Sequence, residues 1–152
     1  MWFYYFNSKC FYWIDAGFFR SYNNTERYLN NWPSSKKCFE DPRVIINSIR
    51  RLSKNELDGF KKLDIKIYYN IVRKTNVGAG IFGGKSDYLV KFILIYYKTI
   101  KLFIKKNMFI GKDQNIFAYI AYLNKNIVNI IYSGEWKYFA FYLLDKKKLM
   151  IS

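Results

Sequence analysis

Apolar and polar positions alternate between two periods along this chain, and the changes of period mark its elements. Phe11 to Ile14 is a continuous aromatic and β-branched run, which predicts a buried strand of a mostly parallel sheet. Asp15 and Gly17 follow at its carboxyl end, the side of an open α/β sheet where ligands bind. Ser21 to Pro42 is polar and irregular and predicts a long loop. Val44 to Arg51 fits a short strand or a short helix, and the pattern does not decide between them. Ser53-Lys54-Asn55-Glu56 has the spacing of a capping box and predicts a helix start. Ile65 to Val72 alternates weakly and predicts a strand.

The second half is more strongly patterned. Gly78 to Gly84 is dense in glycine and predicts a loop opening the clearest helix of the chain, with Ser86 as its N-cap. Leu89, Phe92, Ile93, Tyr96, Ile100, Phe103 and Ile104 follow the 3.6-residue period, while Lys91, Lys98, Lys101 and Lys105 lie mostly off that stripe. Asn107 is the expected stop. A further helix is predicted from Gln114 to Leu123, with Ile116, Phe117, Ile120 and Leu123 inward. Asn126 to Tyr132 is rich in β-formers and ends at a Ser133-Gly134 turn, and the aromatic stretch Glu135 to Leu144 fits either helix or strand.

Composition narrows the chemistry. At 152 residues, 51% of them apolar, the chain has one domain's worth of length and enough apolar mass to exclude disorder. The 26 Lys and Arg against 11 Asp and Glu give a net charge of +15, which attracts polyanions. These cations are scattered in pairs, such as Lys36-Lys37 and Arg50-Arg51, with no long basic arm, so a coding bias towards Lys, Asn and Ile is the plainer reading. Histidine is absent. That removes Ser-His and Cys-His nucleophiles and, with Cys10 and Cys38 far apart, argues against zinc. The two cysteines leave a single disulfide open, but a reducing compartment fits better, so a cytoplasmic location is expected, with a membrane surface as the other option. The best apolar stretch, Tyr88 to Ile104, is interrupted by Lys91, Lys98 and Lys101 and does not read as a membrane span.

Acid–base chemistry therefore rests on carboxylates, Lys or Tyr. Asp15, at a strand end and followed closely by Gly17, could ligate magnesium or manganese, or could merely cap a turn. The Gly78, Gly80 and Gly83 spacing fits G-x-G-x-x-G, but a long basic helix follows where a dinucleotide site needs an acidic strand end. The segment reads as backbone space for a sugar or acceptor, or as a tight turn without a ligand. Asp113-Gln114, after Gly111, could cap a helix or present a general base beside an orienting amide.

In order, Trp13 to Gly17, Phe82 to Gly84, Gly111 to Gln114 and the aromatic Trp136 to Tyr142 resemble the motifs of the HtrL/YibB family of glycosyltransferase-like proteins, which also takes in bacterial lipooligosaccharide sugar transferases. The likeness covers most of Phe11 to Leu144. It implies an α/β fold: a partial A-type glycosyltransferase sheet with helices packed on it, residues 1–152 forming one domain equivalent to the central and C-terminal part of such an enzyme. It implies transfer of a sugar from a nucleotide-sugar donor to a glycan hydroxyl. Asp113 and Gln114 then stand at catalytic positions, and Asp15, Gly17 and Arg20 at the donor. Gly83 and Gly84 stand at the acceptor or sugar, and Asp15 is the ligand of a manganese or magnesium ion. Gly17 stands where many metal-dependent transferases of the A-type fold carry a second Asp. The strands that hold the nucleotide base should precede Trp13, so a truncated or split reading frame and weak nucleotide-sugar binding are expected. The contrasting class is a basic protein binding nucleic acid or an acidic surface without catalysis. Its mark would be a basic stripe away from Asp15 and Asp113. An inactive relic of a transferase is a third reading.

Overall fold

The structure is a computed structural model and describes residues 8–15, 32–73, 77–134, 139, 142 and 143. Gly17, Arg20 and most of Glu135 to Leu144 lie outside the described residues. What is described is a mixed α/β domain. Its four strands are β1 (Cys10–Ile14), β2 (Val44–Ser48), β3 (Val77–Lys85) and β4 (Val128–Tyr132), in the order β1-β3-β2-β4. Five helices accompany them: α1 (Ser35–Glu40), α2 (Lys54–Lys62), α3 (Ile65–Arg73), α4 (Ser86–Lys105) and α5 (Asp113–Leu123).

The expected mostly parallel sheet is corrected. β3 runs antiparallel to both β1 and β2, and only β2 and β4 pair in parallel. The three strands β1, β2 and β4 nevertheless point the same way, so their carboxyl ends share one edge. Nor is β1 a buried strand. It lies at the margin of the described sheet, with Trp13 62% and Ile14 37% exposed.

The glycine-dense stretch is not a loop but the interior strand β3. A Cβ at Gly83 would strike the Phe11 carbonyl oxygen and come within 2.7 Å of Tyr12 Cα, and one at Gly84 would lie 2.6 Å from the Arg43 carbonyl oxygen. Glycine is required there because the backbones of both neighbours close in.

Ile65 to Val72 is also corrected, from strand to helix. Leu63 adopts the left-handed conformation (φ 53°) and ends α2, after which the Asp64 carboxylate accepts the Ile67 N–H at 2.9 Å and starts α3. Tyr68 and Ile71 are then buried one turn apart, Tyr68 meeting Phe60 and Phe103 at 6.0 and 5.2 Å between ring centroids. The predicted loop ending at Pro42 contains α1, whose buried Cys38 is disulfide-bonded to Cys10 of β1. The preference for unpaired cysteines in a reducing compartment is thus corrected, since the two are bonded.

Other expectations hold. Ser53 and Glu56 form a reciprocal capping box at α2. α4 is one continuous helix, about 30 Å long at ~1.5 Å per residue. Phe92 and Phe103 are buried, but Ile93 and Ile104 face solvent, and Lys85 rather than Ser86 holds the N-cap position. Asn107 terminates α4 with φ 52°. Val44 to Arg51 resolves into the wholly buried strand β2.

Two clusters cover the sheet. The larger joins Val44 and Ile46 to α2–α5, with Phe117 set edge-on to both Phe82 and Phe92 at 4.9 and 5.0 Å. The smaller, on the other face, gathers Ile45, Ile81, Phe139 and Leu143. No helix among the described residues is long and apolar enough to cross a membrane.

Candidate functional site

The pairing of β2 with β3 breaks between Ile46 and Asn47. Ile46 faces Phe82, but the next residue, Asn47, faces Gly78. Ala79, Gly80 and Ile81 are therefore left over on β3, detached from β2. They stay attached to the other side: Ile81 pairs with Ile14, and the Asp15 N–H donates to the Gly80 carbonyl at 2.7 Å. An irregularity of this kind opens a gap within a sheet and commonly lies beside functional sites.

The gap is a cavity of about 340 Å³ at the carboxyl ends of β1 and β2. Its wall includes Asp15, Asn47, Gly78, Gly80, Asp113 and Gln114, with Trp13, Ile81 and Phe139 as apolar surface. Two carboxylates 98 positions apart in sequence thus line one space, as the reading of them as a single site requires. Each is held by its element. Asp15 is fixed by the β1–β3 ladder, and the Asp113 carboxylate accepts the Gln114 N–H at 2.7 Å in the first turn of α5. Asp113 also adds to the upward displacement of the Tyr96 pKa, which is caused first by burial.

Gly83 and Gly84 belong to the far half of β3, where the flanking backbones account for them; Gly78 and Gly80 form the wall instead. Gly17 and Arg20 lie outside the described residues. Asn47 was not singled out from sequence. It is 2% exposed, its Oδ1 accepts from Ser133 Oγ at 2.5 Å, and its side-chain nitrogen has no hydrogen-bond partner among the described residues. A lone amide directly after the apolar run Val44 to Ile46 was the available signal.

A second groove, of about 670 Å³, shares Trp13 and Asp113 with the cavity and continues over Phe11, Phe92, Tyr96 and Phe117. Trp13 stacks on Phe82 at 6.4 Å and leaves most of its surface open to solvent. Among the described residues no group of three or more His, Cys, Asp or Glu side chains is arranged to hold a metal ion.

The outer side of α4 is different in character. Lys91, Lys98 and Lys105 recur every seven residues and share one face, with Lys101 beside them; all are exposed. Leu94, Tyr97 and Ile104 are exposed next to this stripe.

Fold and site together define a mixed α/β protein with an acidic cavity set into an irregularity of its sheet. Residues 3–145 match the family described as "Bacterial protein of unknown function (HtrL_YibB)", and the chain belongs to that family. No curated protein and no solved structure matches it significantly.

Proposed function

We propose that the cavity is the sugar site of a glycosyltransferase that moves a sugar from a nucleotide donor to a glycan hydroxyl. The observation that carries this reading is the meeting of Asp15 and Asp113 in one cavity beside the exposed ring of Trp13. Carboxylates accept hydrogen bonds from sugar hydroxyls, and an aromatic face covers the C–H side of a sugar ring. Asp113 is the general base. It takes the proton from the acceptor hydroxyl as that oxygen bonds to the anomeric carbon, and the bond from that carbon to the diphosphate breaks with its electron pair leaving on the nucleoside diphosphate. Gln114 orients hydroxyls beside it. The aromatic groove leads the acceptor to Asp113. Gly83 and Gly84 act here only through the shape of β3.

Asp15 is the carboxylate that would hold manganese or magnesium. These ions take one or two protein carboxylates and complete their shell with substrate phosphate and water, so Asp15 by itself fits such an ion and leaves Asp113 free as the base. The ion would neutralise charge on the leaving diphosphate.

The test is release of nucleoside diphosphate from a panel of nucleotide sugars, with and without added manganese, by the purified chain and by Asp15→Asn and Asp113→Asn. Turnover that survives both substitutions unchanged overturns the reading.

The lysine stripe of α4 supports a second reading, adhesion to an anionic surface. Exposed apolar residues beside lysines suit the lipid interface, as in amphipathic helices that lie on membranes. Binding to vesicles containing anionic lipid should weaken with salt and be lost in a Lys98→Glu, Lys101→Glu, Lys105→Glu variant. Unchanged vesicle binding by that variant rules the reading out.

A further inference from the structure

We infer that Asn47 is a ligand-binding residue of this cavity, its side-chain amide donating a hydrogen bond to a hydroxyl of a neutral sugar held between Asp15 and Asp113. The inference rests on the sugar-site reading and adds to it a donor and a ligand class.

A side-chain amide that is 2% exposed and lacks a partner for its nitrogen is costly, because it gave up water without replacing it. Natural cores keep few such groups, and the three residues of β2 before Asn47 are Val and Ile. The cost is not an accident of loose packing. Ser133 Oγ holds the amide oxygen, which fixes the plane of the group and leaves its N–H₂ as the end to be satisfied. Asn47 also stands at the break in strand pairing, where it faces Gly78 and Ala79 to Ile81 are looped out between Gly78 and Phe82, the partner of Ile46. The cavity it lines is what that looping-out creates.

The ligand class follows from the other polar groups. Asp15 and Asp113 only accept hydrogen bonds when ionised, whereas the Asn47 nitrogen only donates. A hydroxyl does both at once: it donates to a carboxylate and accepts from the amide. A phosphate oxygen can only accept, and it would face two carboxylates with no lysine or arginine among the described lining residues. Without a bound cation the cavity thus selects a neutral polyhydroxylated group over an anion.

The full chain, labelled with ¹⁵N, decides this. The Asn47 amide pair is assigned by its disappearance in Asn47→Leu. Glucose, galactose and N-acetylglucosamine are titrated separately to tens of millimolar, and inorganic phosphate likewise. The expected result is that at least one sugar shifts the Asn47 pair together with the Trp13 indole and the Gly80 amide, while phosphate shifts none of them. Asn47→Leu should then bind that sugar at least tenfold more weakly, whereas Ser133→Ala, which breaks the same Asn47–Ser133 hydrogen bond but keeps the Asn47 N–H₂, should still bind it; equal loss of sugar binding in both variants is what a merely structural role predicts. If a sugar moves Trp13 and Gly80 but not the Asn47 pair, the sugar site stands and the role of Asn47 falls. If no sugar moves any of the three, the sugar-site reading fails and takes this inference with it. If phosphate alone moves the Asn47 pair, the ligand class is overturned. Where Asn47→Leu does not fold, through-bond spectra of the ¹³C,¹⁵N-labelled wild-type chain assign the Asn47 pair, and the wild-type titration reads all these outcomes.

Discussion

Asp15 and Gly80 are joined by a backbone hydrogen bond of 2.7 Å from the Asp15 N–H to the Gly80 carbonyl. This bond carries the β1–β3 ladder one residue beyond the strand and delivers the carboxylate to the cavity wall. It also holds the displaced part of β3 in place on the side away from β2. The acid and the gap it faces are positioned by the same contact.

Replacing either acid should separate function from stability. Asp15 and Asp113 are both exposed, so Asp15→Asn should change stability by no more than ~0.5 kcal/mol. Asp113→Asn removes a negative charge from the first turn of α5 and should cost about 0.3–1 kcal/mol. Sugar transfer should fall by about 10²–10⁴-fold for Asp113→Asn if it is the base. Urea unfolding and product assays on the same preparations check both halves.

Adding a methyl group at the sheet's tightest point should be far more damaging. Gly83→Ala and Gly84→Ala each force a side chain into a neighbouring backbone and should cost about 1–3 kcal/mol or more. Thermal unfolding of the two variants beside the wild type checks this.

Stability should fall in acid through identifiable pairs. The Arg50 guanidinium, 2.6 and 2.9 Å from Glu56, lowers the Glu56 carboxyl from 4.5 to about 2. A folded-state value below the unfolded one means that the unfolded chain takes the proton first. The contribution of Glu56 is therefore complete above about pH 4.5 and is lost as pH falls towards 2. Asp41, held low by Arg43, acts in the same direction. Glu56→Gln should flatten this acid limb and cost about 1 kcal/mol at neutral pH by weakening the capping box. Denaturant midpoints measured from pH 7 to 2 give both quantities.

The Cys10–Cys38 bond closes 28 residues of chain. Loop closure of that size corresponds to about 3–4 kcal/mol. Cys38→Ser, or reduction, should lower the unfolding midpoint accordingly. Alkylation of the unreduced, denatured chain should label neither cysteine; labelling of both shows the bond open in solution.

Legibility in the sequence followed how local the cause was. The Ser53–Glu56 box and the Phe92–Phe103 stripe are written in neighbouring residues, and both were readable. The gathering of Asp15 and Asp113 was readable because each stands at the end of an element aimed at the same edge. β3 was not, because glycine argues against strand unless the approach of two other backbones is known, and that approach is set by Phe11 and Arg43 far away in sequence. Ile65 to Val72 misled because β-branched residues in an alternating pattern outweighed one Asp64 cap. Asn47 was hidden for a related reason. Its meaning lies in what β3 fails to do opposite it.

The two glycines also act as a gauge. Phe11 and Tyr12 press on Gly83 from one side and Arg43 and Val44 on Gly84 from the other. A slip of β1 towards Phe82, or of β2 towards Lys85, would set a backbone pressed this close against a side chain instead of a glycine. The two glycines therefore disfavour those slips, and the check is made at the end of the sheet remote from the cavity. Whatever the cavity binds, the strands that wall it are aligned by a tolerance set several residues away.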